Sequence, residues 1–339
     1  MRFRLDRRGI DPKWANYLSI HEHNPPFVTL PEIEANLHDL VLVNPLAGAG
    51  KALREFEALR NFAQHHCWNA DFLVSSSAAE LAAQARDGVS AGRSRIFVLG
   101  GDGTFQVVAN AIGPSSEIVL GVLPAGGGND LAKSLGLPTG AVAAAKLLLA
   151  GEICLLDAVC VRTSDSTERL YAGGGGLGLD AEASRYAGGS FRNVQGRLRY
   201  LLSAIRALAN FRALQVRVHL QPEDEQIFSP ATLLVGVLNT PSYGAGVRLA
   251  PEARTDDGEL DLVLLEHLGI FEVATMLPTL LMNGEVRSKR QHHRRIKWAL
   301  IETDRPCAFH GDGEILGMTP VEIRIIPGAF RILRPGKSS

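Results

Sequence analysis

Ile96-Phe97-Val98-Leu99-Gly100-Gly101-Asp102-Gly103-Thr104 runs from a short apolar segment into a glycine-rich acidic loop with no spacer, and an amphipathic stretch, Phe105 to Ile112, follows it. The apolar residues read as a buried strand and the stretch after the loop as a helix. Glycines carry no Cβ, so the backbone can approach an anion closely. The first amides of the next helix add partial positive charge, which makes the loop a phosphate site in outline. Asp102 can hold Mg²⁺ or a ribose hydroxyl, and Thr104 can donate to a phosphate oxygen. Taken alone, the loop also suits a purely structural turn, because glycine clusters after strands are common in α/β chains.

Working outward, the same strand, loop and helix order recurs. Asp39 to Val43 leads through Asn44-Pro45-Leu46-Ala47-Gly48-Ala49-Gly50-Lys51 into a helical stretch ending near His66. Ala70 to Val74 leads through Ser75-Ser76-Ser77, a set of good helix N-caps, into Ala78 to Asp87. Ile118 to Leu123 ends at Pro124-Ala125-Gly126-Gly127-Gly128-Asn129-Asp130, ahead of a short helix Leu131 to Leu135. Alternating strands and helices imply a parallel, doubly wound α/β sheet whose ligands bind beyond the carboxyl ends of the strands, where every one of these loops lies. After about Leu155 the pattern changes to alternating strands, among them Gln215 to Leu220, Thr232 to Leu238, Leu260 to Leu265 and Val321 to Ile326. This predicts a second, antiparallel β-rich domain, interrupted by one helix from about Arg197 to Asn210. The expected division is an extension over 1–36, an α/β domain over 37–153 completed by about 327–337, and the β-rich domain over 154–326.

A chain of 339 residues is long for a single core, which fits two domains and a cleft between them. Lys and Arg number 35 against 36 Asp and Glu, so no global basic field points to nucleic acid. Cys67, Cys154, Cys160 and Cys307 show no Cys-x-x-Cys spacing, and a reducing cytosol suits them best. No stretch reaches the roughly 18 apolar residues of a spanning helix, and Leu268 to Met282 is interrupted by Glu272.

Two phosphate-type loops on neighbouring strands suggest a cradle for a nucleoside triphosphate. The set Asn44-Pro45 with Gly48, Gly100-Gly101-Asp102-Gly103-Thr104 and Leu123-Pro124-x-Gly-x-x-Asn129-Asp130 resembles the diacylglycerol kinase catalytic-domain family, which includes bacterial lipid kinases and the related sphingosine and ceramide kinases. Further on, Asp256-Asp257-Gly258-Glu259 and His310-Gly311-Asp312-Gly313-Glu314 resemble that family's metal loop and catalytic turn. The resemblance implies a phosphofructokinase-like or NAD kinase-like α/β domain and an ATP- and Mg²⁺-dependent kinase acting on a hydroxyl of diacylglycerol or a similar lipid. It implies an ATP pocket from Asn44, Ser75, Gly100, Gly101, Asp102, Gly103, Thr104, Gly126, Gly127, Asn129 and Asp130. It also implies a Mg²⁺ site at Asp257 with the carbonyls near Arg254 and Glu259, a general base from Asp312 and Glu314, and an acceptor contact at Asp180. A lipid hydroxyl is a poor nucleophile, so a carboxylate positioned to take its proton makes chemical sense.

The chain departs from the family pattern at Gly127, where a threonine is usual, and at Ala47, where serine is frequent. Each lost hydroxyl bond to a charged group is worth about 1.5–3 kcal/mol, which predicts weakened nucleotide binding. Gly173 to Gly178 satisfies G-x-G-x-x-G yet lacks the acidic residue about 20 positions on that a dinucleotide site needs. The pairs His65-His66 and His292-His293, and His21 with His23, read as solvated. Arg287 to Lys297 concentrates positive charge, normally a solvated face. A lipid kinase has to meet an anionic surface, to which each basic residue adds about 1 kcal/mol. Arg197, Arg199, Arg206 and Arg212 would add to that face. The partner expected is therefore lipid at a membrane surface, reached from the cytoplasmic side, and a homodimer is allowed. Two other readings stay open: a soluble-substrate kinase related to NAD kinase, and a nucleotide-binding regulator with reduced turnover.

Overall fold

A computed structural model of the chain describes residues 38–114, 116–179, 211–221, 226–242, 246–269 and 288–336, with single positions 186, 189, 203, 206, 207 and 272. Strands β1 (Asp39–Val43), β2 (Ala70–Val74), β3 (Arg95–Gly100) and β4 (Val119–Pro124) pair in parallel in the order β2-β1-β3-β4. Leu40 to Val43 and Ile96 to Leu99 are buried along their whole length. Continuous apolar strands of this kind belong to a sheet covered on both faces. The cover comes from α1 (Lys51–His65), α2 (Ala78–Ser90), α3 (Asp102–Ile112), α4 (Asp130–Ser134) and α5 (Ala141–Leu149), with α2 packed on α3 and α1 on α5. Strand order reverses between β1 and β3, so the crevice past their carboxyl ends is the ligand position of such a sheet.

The predicted caps at Ser75-Ser76-Ser77 form. The Glu80 amide donates to Ser77 Oγ at 3.1 Å, and Glu80 Oε2 accepts from Ser76 N and Oγ. At the other edge of the sheet, Asp39 is inaccessible and accepts from Arg95 through both oxygens, at 2.7 and 2.6 Å, and from Trp68 Nε1 at 2.7 Å.

The second half is antiparallel: β5 (Glu152–Arg162), β6 (Glu168–Tyr171), β7 (Gly174–Gly178), β8 (Leu214–Leu220), β9 (Gln226–Leu238), β10 (Leu260–Glu266), β11 (Gln291–Ile296), β12 (Trp298–Thr303), β13 (Ala308–Gly311), β14 (Glu314–Met318) and β15 (Val321–Arg334). Its core gathers inward-facing residues at period two, such as Leu214, Val216, Val218 and Leu220 of β8, with Val235, Val237, Ile301 and Phe309. One path of paired strands crosses both halves, β14-β13-β7-β9-β8-β12-β15-β4-β3-β1-β2. The link is β15, antiparallel to β12 at its start and to β5 from Glu322 to Arg334, and parallel to β4 at Arg331 and Ile332.

Strand β9 starts at Gln226 rather than Thr232 and α2 runs on to Ser90, and two further bounds differ for reasons the bonds make plain. Helix α3 starts at Asp102 rather than Phe105, because Gly101 takes the extended N-cap position and its amide meets Thr104 Oγ1 at 3.4 Å. Strand β15 does not stop at Ile326. It absorbs Pro327 and Gly328 in a register shift between Ile326 and Phe330 and continues, as strands do at a bulge. The helix expected at Arg197 to Asn210 falls almost wholly outside the described residues. Among the described residues no helix is long and apolar enough to cross a membrane.

Candidate active site

The glycine loops meet at the strand ends. Asn44, just after β1, donates from Nδ2 to Thr104 Oγ1 at 3.0 Å, and its Oδ1 accepts the Leu46 amide at 3.1 Å. Ser75 is buried and its hydroxyl donates to the Val43 carbonyl at 3.0 Å. Gly48, at φ +61°, lies so close to the second loop that a Cβ would stand 2.1 Å from the Ala125 carbonyl oxygen. Gly101 and Gly126 likewise touch, since a Cβ on Gly126 would come within 2.5 Å of the Gly101 Cα. Asn129 sits in the left-handed region at φ 55° and closes its own loop, accepting the Gly126 amide at 2.8 Å and donating to the Gly126 carbonyl at 2.9 Å. Gly127 is at the exposed tip.

Asp102 joins the two loops. Its oxygens accept the amides of Asp130 and Leu131, each at 3.1 Å, which caps α4. Burial and the neighbouring Asp130 carboxylate push its pKa up. Asp130 in turn accepts from Ser242 Oγ at 3.0 Å, a residue of the β-rich half.

The acidic turn between β13 and β14 comes to the same place. Asp312, at φ 51°, accepts the amides of Ala172, Gly173 and Gly174 at 3.0, 3.0 and 3.2 Å. Those bonds favour the carboxylate, but burial and then the charge of Asp102 outweigh them and push its pKa up to about 8. Glu314 is exposed and lies against Gly103, where a Cβ would be 3.5 Å from Glu314 Oε1. Helix α3 is clamped to this half by Gln106, which donates to the Gly311 carbonyl at 3.2 Å, and by Asn110, which exchanges bonds with Leu170.

Gly174–Gly178 is a buried strand and no dinucleotide loop. A Cβ on Gly173 would stand 2.6 Å from Asp312 Oδ1, and one on Gly175 would stand 2.8 Å from the Tyr171 ring. Asp180 lies outside the described residues.

Arg254, Asp257 and Glu259 lie at the turn leading into β10. Asp257 and Glu259 are both bridged by Arg295 of β11, at 2.7 Å in the case of Glu259. Arg254 pairs with Asp256 at 3.2 Å. The turn reaches the acidic cluster through residues that motif reading missed. Asp157 accepts the amides of Gly258 and Gly328 at 2.7 and 2.6 Å, and Asn239 donates to the carbonyls of Asp157 and Ala172 at 3.0 and 2.9 Å. A lone aspartate inside the apolar run Leu155-Leu156-Asp157-Ala158-Val159 was the available signal.

Burial raises the Asp157 pKa to about 6. The unfolded carboxyl releases its proton near pH 4, so the native state binds more protons between roughly pH 4 and 6 and stability falls as pH rises through that window. Relative to Asp157→Asn, the wild type is expected to lose about 2 kcal/mol across it, read from urea midpoints. Asp157→Ala, which strands two amides, is expected to cost about 2–4 kcal/mol.

The basic run is exposed at Lys289, Arg290, His292 to Arg295 and Lys297, as a solvated face should be, but several of its side chains are paired. Of the described residues in it, His292 pairs with Glu266, His293 with Asp261, Arg290 with Glu272, and Arg295 with Asp257 and Glu259. Acids of β10 thus answer the two histidines, while the two arginines are answered by acids outside that strand, Glu272 beyond it and Asp257 and Glu259 before it. Arg197, Arg199 and Arg287 lie outside the described residues.

A nucleotide phosphate fits the loops, since the amides of Asp102 and Gly103 are the first two of α3 and have no carbonyl of their own helix to bond. A protein-held Mg²⁺ fits less well. Asp102, Asp312 and Asp257 have their oxygens engaged by amides or by Arg295, and among the described residues no three acidic, His or Cys side chains surround a cation position.

Paired glycine loops at the ends of a parallel sheet, met by an acidic turn from an antiparallel half, form a site of the class that brings a phosphate and an acceptor hydroxyl together. Residues 38–161 match the diacylglycerol kinase catalytic domain, and residues 175–334 match the YegS C-terminal NAD kinase beta sandwich-like domain. The chain belongs to the family of diacylglycerol kinases and YegS-like lipid kinases. It is 28% identical over 297 residues to a "Diacylglycerol kinase" of Mycobacterium tuberculosis, covering 87% of this chain and 94% of the relative. It is 28% identical over 249 residues to a "Probable lipid kinase YegS-like" of Stenotrophomonas maltophilia, covering 71% and 78%. A crystal structure of a Bacillus anthracis diacylglycerol kinase aligns with TM-score 0.63 at 20% identity, covering 87% of this chain and 96% of that one. A second structure from the same strain aligns with TM-score 0.71 at 23% identity, covering 87% and 97%. Family membership supports a lipid kinase role and implies the use of ATP.

Proposed function

We propose that the protein transfers the γ-phosphoryl group of ATP to a hydroxyl of diacylglycerol or a similar lipid, in a reaction that requires Mg²⁺. The observation that carries this reading is the meeting of the Gly100 to Thr104 loop with the Asp312 turn, held by the Gln106 bond to Gly311. The α3 amides receive the phosphates, with Thr104 fixed by Asn44 and the second loop fixed by Asp102 and Asn129. Asp312, as carboxylate, takes the proton of the acceptor hydroxyl, and Glu314 borders the phosphates from the other side. Positioning supplies most of the rate.

Incubation with labelled ATP, Mg²⁺ and a total lipid extract, with mass-spectrometric identification of the labelled product, is expected to give a phosphorylated lipid. Transfer to NAD with none to lipid in mixed micelles would replace this reading with that of a soluble-substrate kinase. ATP binding by calorimetry without any transfer would leave a regulator.

A further inference from the structure

We propose that at the turn before β10 the guanidinium of Arg295 takes the position that a divalent cation would hold, so that this chain orders the turn without metal. The inference rests on the reading of Asp256 to Glu259 as the counterpart of a metal loop. Arg295 Nη2 contacts Asp257 Oδ2 and also lies 2.7 Å from Glu259 Oε2. The other oxygen of Asp257 accepts the Glu259 amide at 3.1 Å, so a cation at Asp257 would share both oxygens with bonds already made and would stand beside the guanidinium charge that repels it.

The backbone delivers this guanidinium to the turn. Arg295 pairs in register with Asp261 across the antiparallel β10 and β11 ladder, and Asp257, Glu259 and Asp261 alternate along the approach to that ladder. His293, two residues before Arg295, meets Asp261 at 2.5 Å, so two basic side chains answer three acidic ones. Protein bonds hold the rest of the turn: Asp157 accepts the Gly258 amide at 2.7 Å and donates its own amide to the Thr255 carbonyl at 2.8 Å. An arginine is charged at every working pH and offers several donors in a fixed fork, so it can bridge two carboxylates as a cation would, independently of free metal concentration.

The test is the metal content of the full chain, free of nucleotide and lipid, so that its result does not depend on kinase activity. Wild type, Asp257→Asn and Arg295→Gln are equilibrated with Mg²⁺ and separately with Ca²⁺, and bound metal is measured after dialysis, with circular dichroism confirming the fold. Wild type and Asp257→Asn are expected to bind the same amount, and Arg295→Gln to bind one equivalent more than Asp257→Asn. One equivalent more in wild type than in Asp257→Asn would overturn the proposal, because the turn would then hold a cation beside Arg295. Should Arg295→Gln fail to fold, wild type against Asp257→Asn still decides, and chelator added to wild type is expected to leave its melting temperature unmoved.

Discussion

Changing Asp312 to Asn is expected to slow phosphoryl transfer by about 10²–10⁴-fold, the usual worth of a general base, while ATP affinity measured by calorimetry stays as in wild type. The variant keeps the size of the side chain and can still accept the Gly173 and Gly174 amides through its oxygen, but turns an amide donor towards the Ala172 amide, so some reordering of that turn accompanies the loss. A second signature separates chemistry from structure. With its pKa pushed up to about 8, Asp312 becomes a carboxylate only as pH rises towards that value. The wild-type rate should therefore climb between about pH 6 and 8 and level off above, and Asp312→Asn should lose the climb along with the rate. Glu314→Gln should lose rate yet keep the climb. If Glu314→Gln removes the climb and Asp312→Asn retains it, the two roles are exchanged. The same carboxyl also lowers stability at high pH: the native state keeps its proton to about pH 8 while the unfolded chain releases it near 4, so folding weakens as pH rises between them.

Asp39→Ala is expected to be the most destabilising single change in the α/β half, at about 3–5 kcal/mol by urea denaturation. The substitution removes an inaccessible carboxylate and leaves the guanidinium of Arg95 and the Trp68 indole N–H without their acceptor. Asp39→Asn keeps one oxygen and should fall between wild type and Ala. Since the pair sits at the sheet edge opposite the glycine loops, the loss should appear in the denaturation midpoint and leave KM for ATP untouched. A change in KM without a change in midpoint would contradict this assignment.

The α/β half was largely legible in the sequence, because apolar strands, glycine loops and helical stretches each have their own period and end on residues with few alternatives. Asp39 to Val43 and Ala70 to Val74 appear with the bounds read from the sequence. The start of α3 was harder, since Gly103 argues against helix locally and only the caps at Gly101 and Thr104 override it. Strand β15 was cut short because Pro327 and Gly328 are strand breakers in isolation, and a bulge cannot be seen before the partner strand is known. Register explains the basic run as well. Nothing in the order of residues says that Arg295 will lie across from Asp261 and that His293, across from Val263, will reach the same carboxylate diagonally. At the site, the motifs named Asp102 and Asp312, but the bonds through Asp157, Asn239 and Gln106 join residues far apart in sequence and became visible only with the fold.

Strand β15 also bears on how the chain is made. A ribosome delivers residues in order, yet β4, β5 and β12 are all complete well before the strand that joins them has been synthesised. Until Val321 to Arg334 emerges, β4 and β12 keep the edges that β15 will cover, and an open edge invites pairing with another nascent chain. Production of the protein should therefore depend on how soon β15 follows the strands it joins, and on holdase chaperones, more than its native stability suggests.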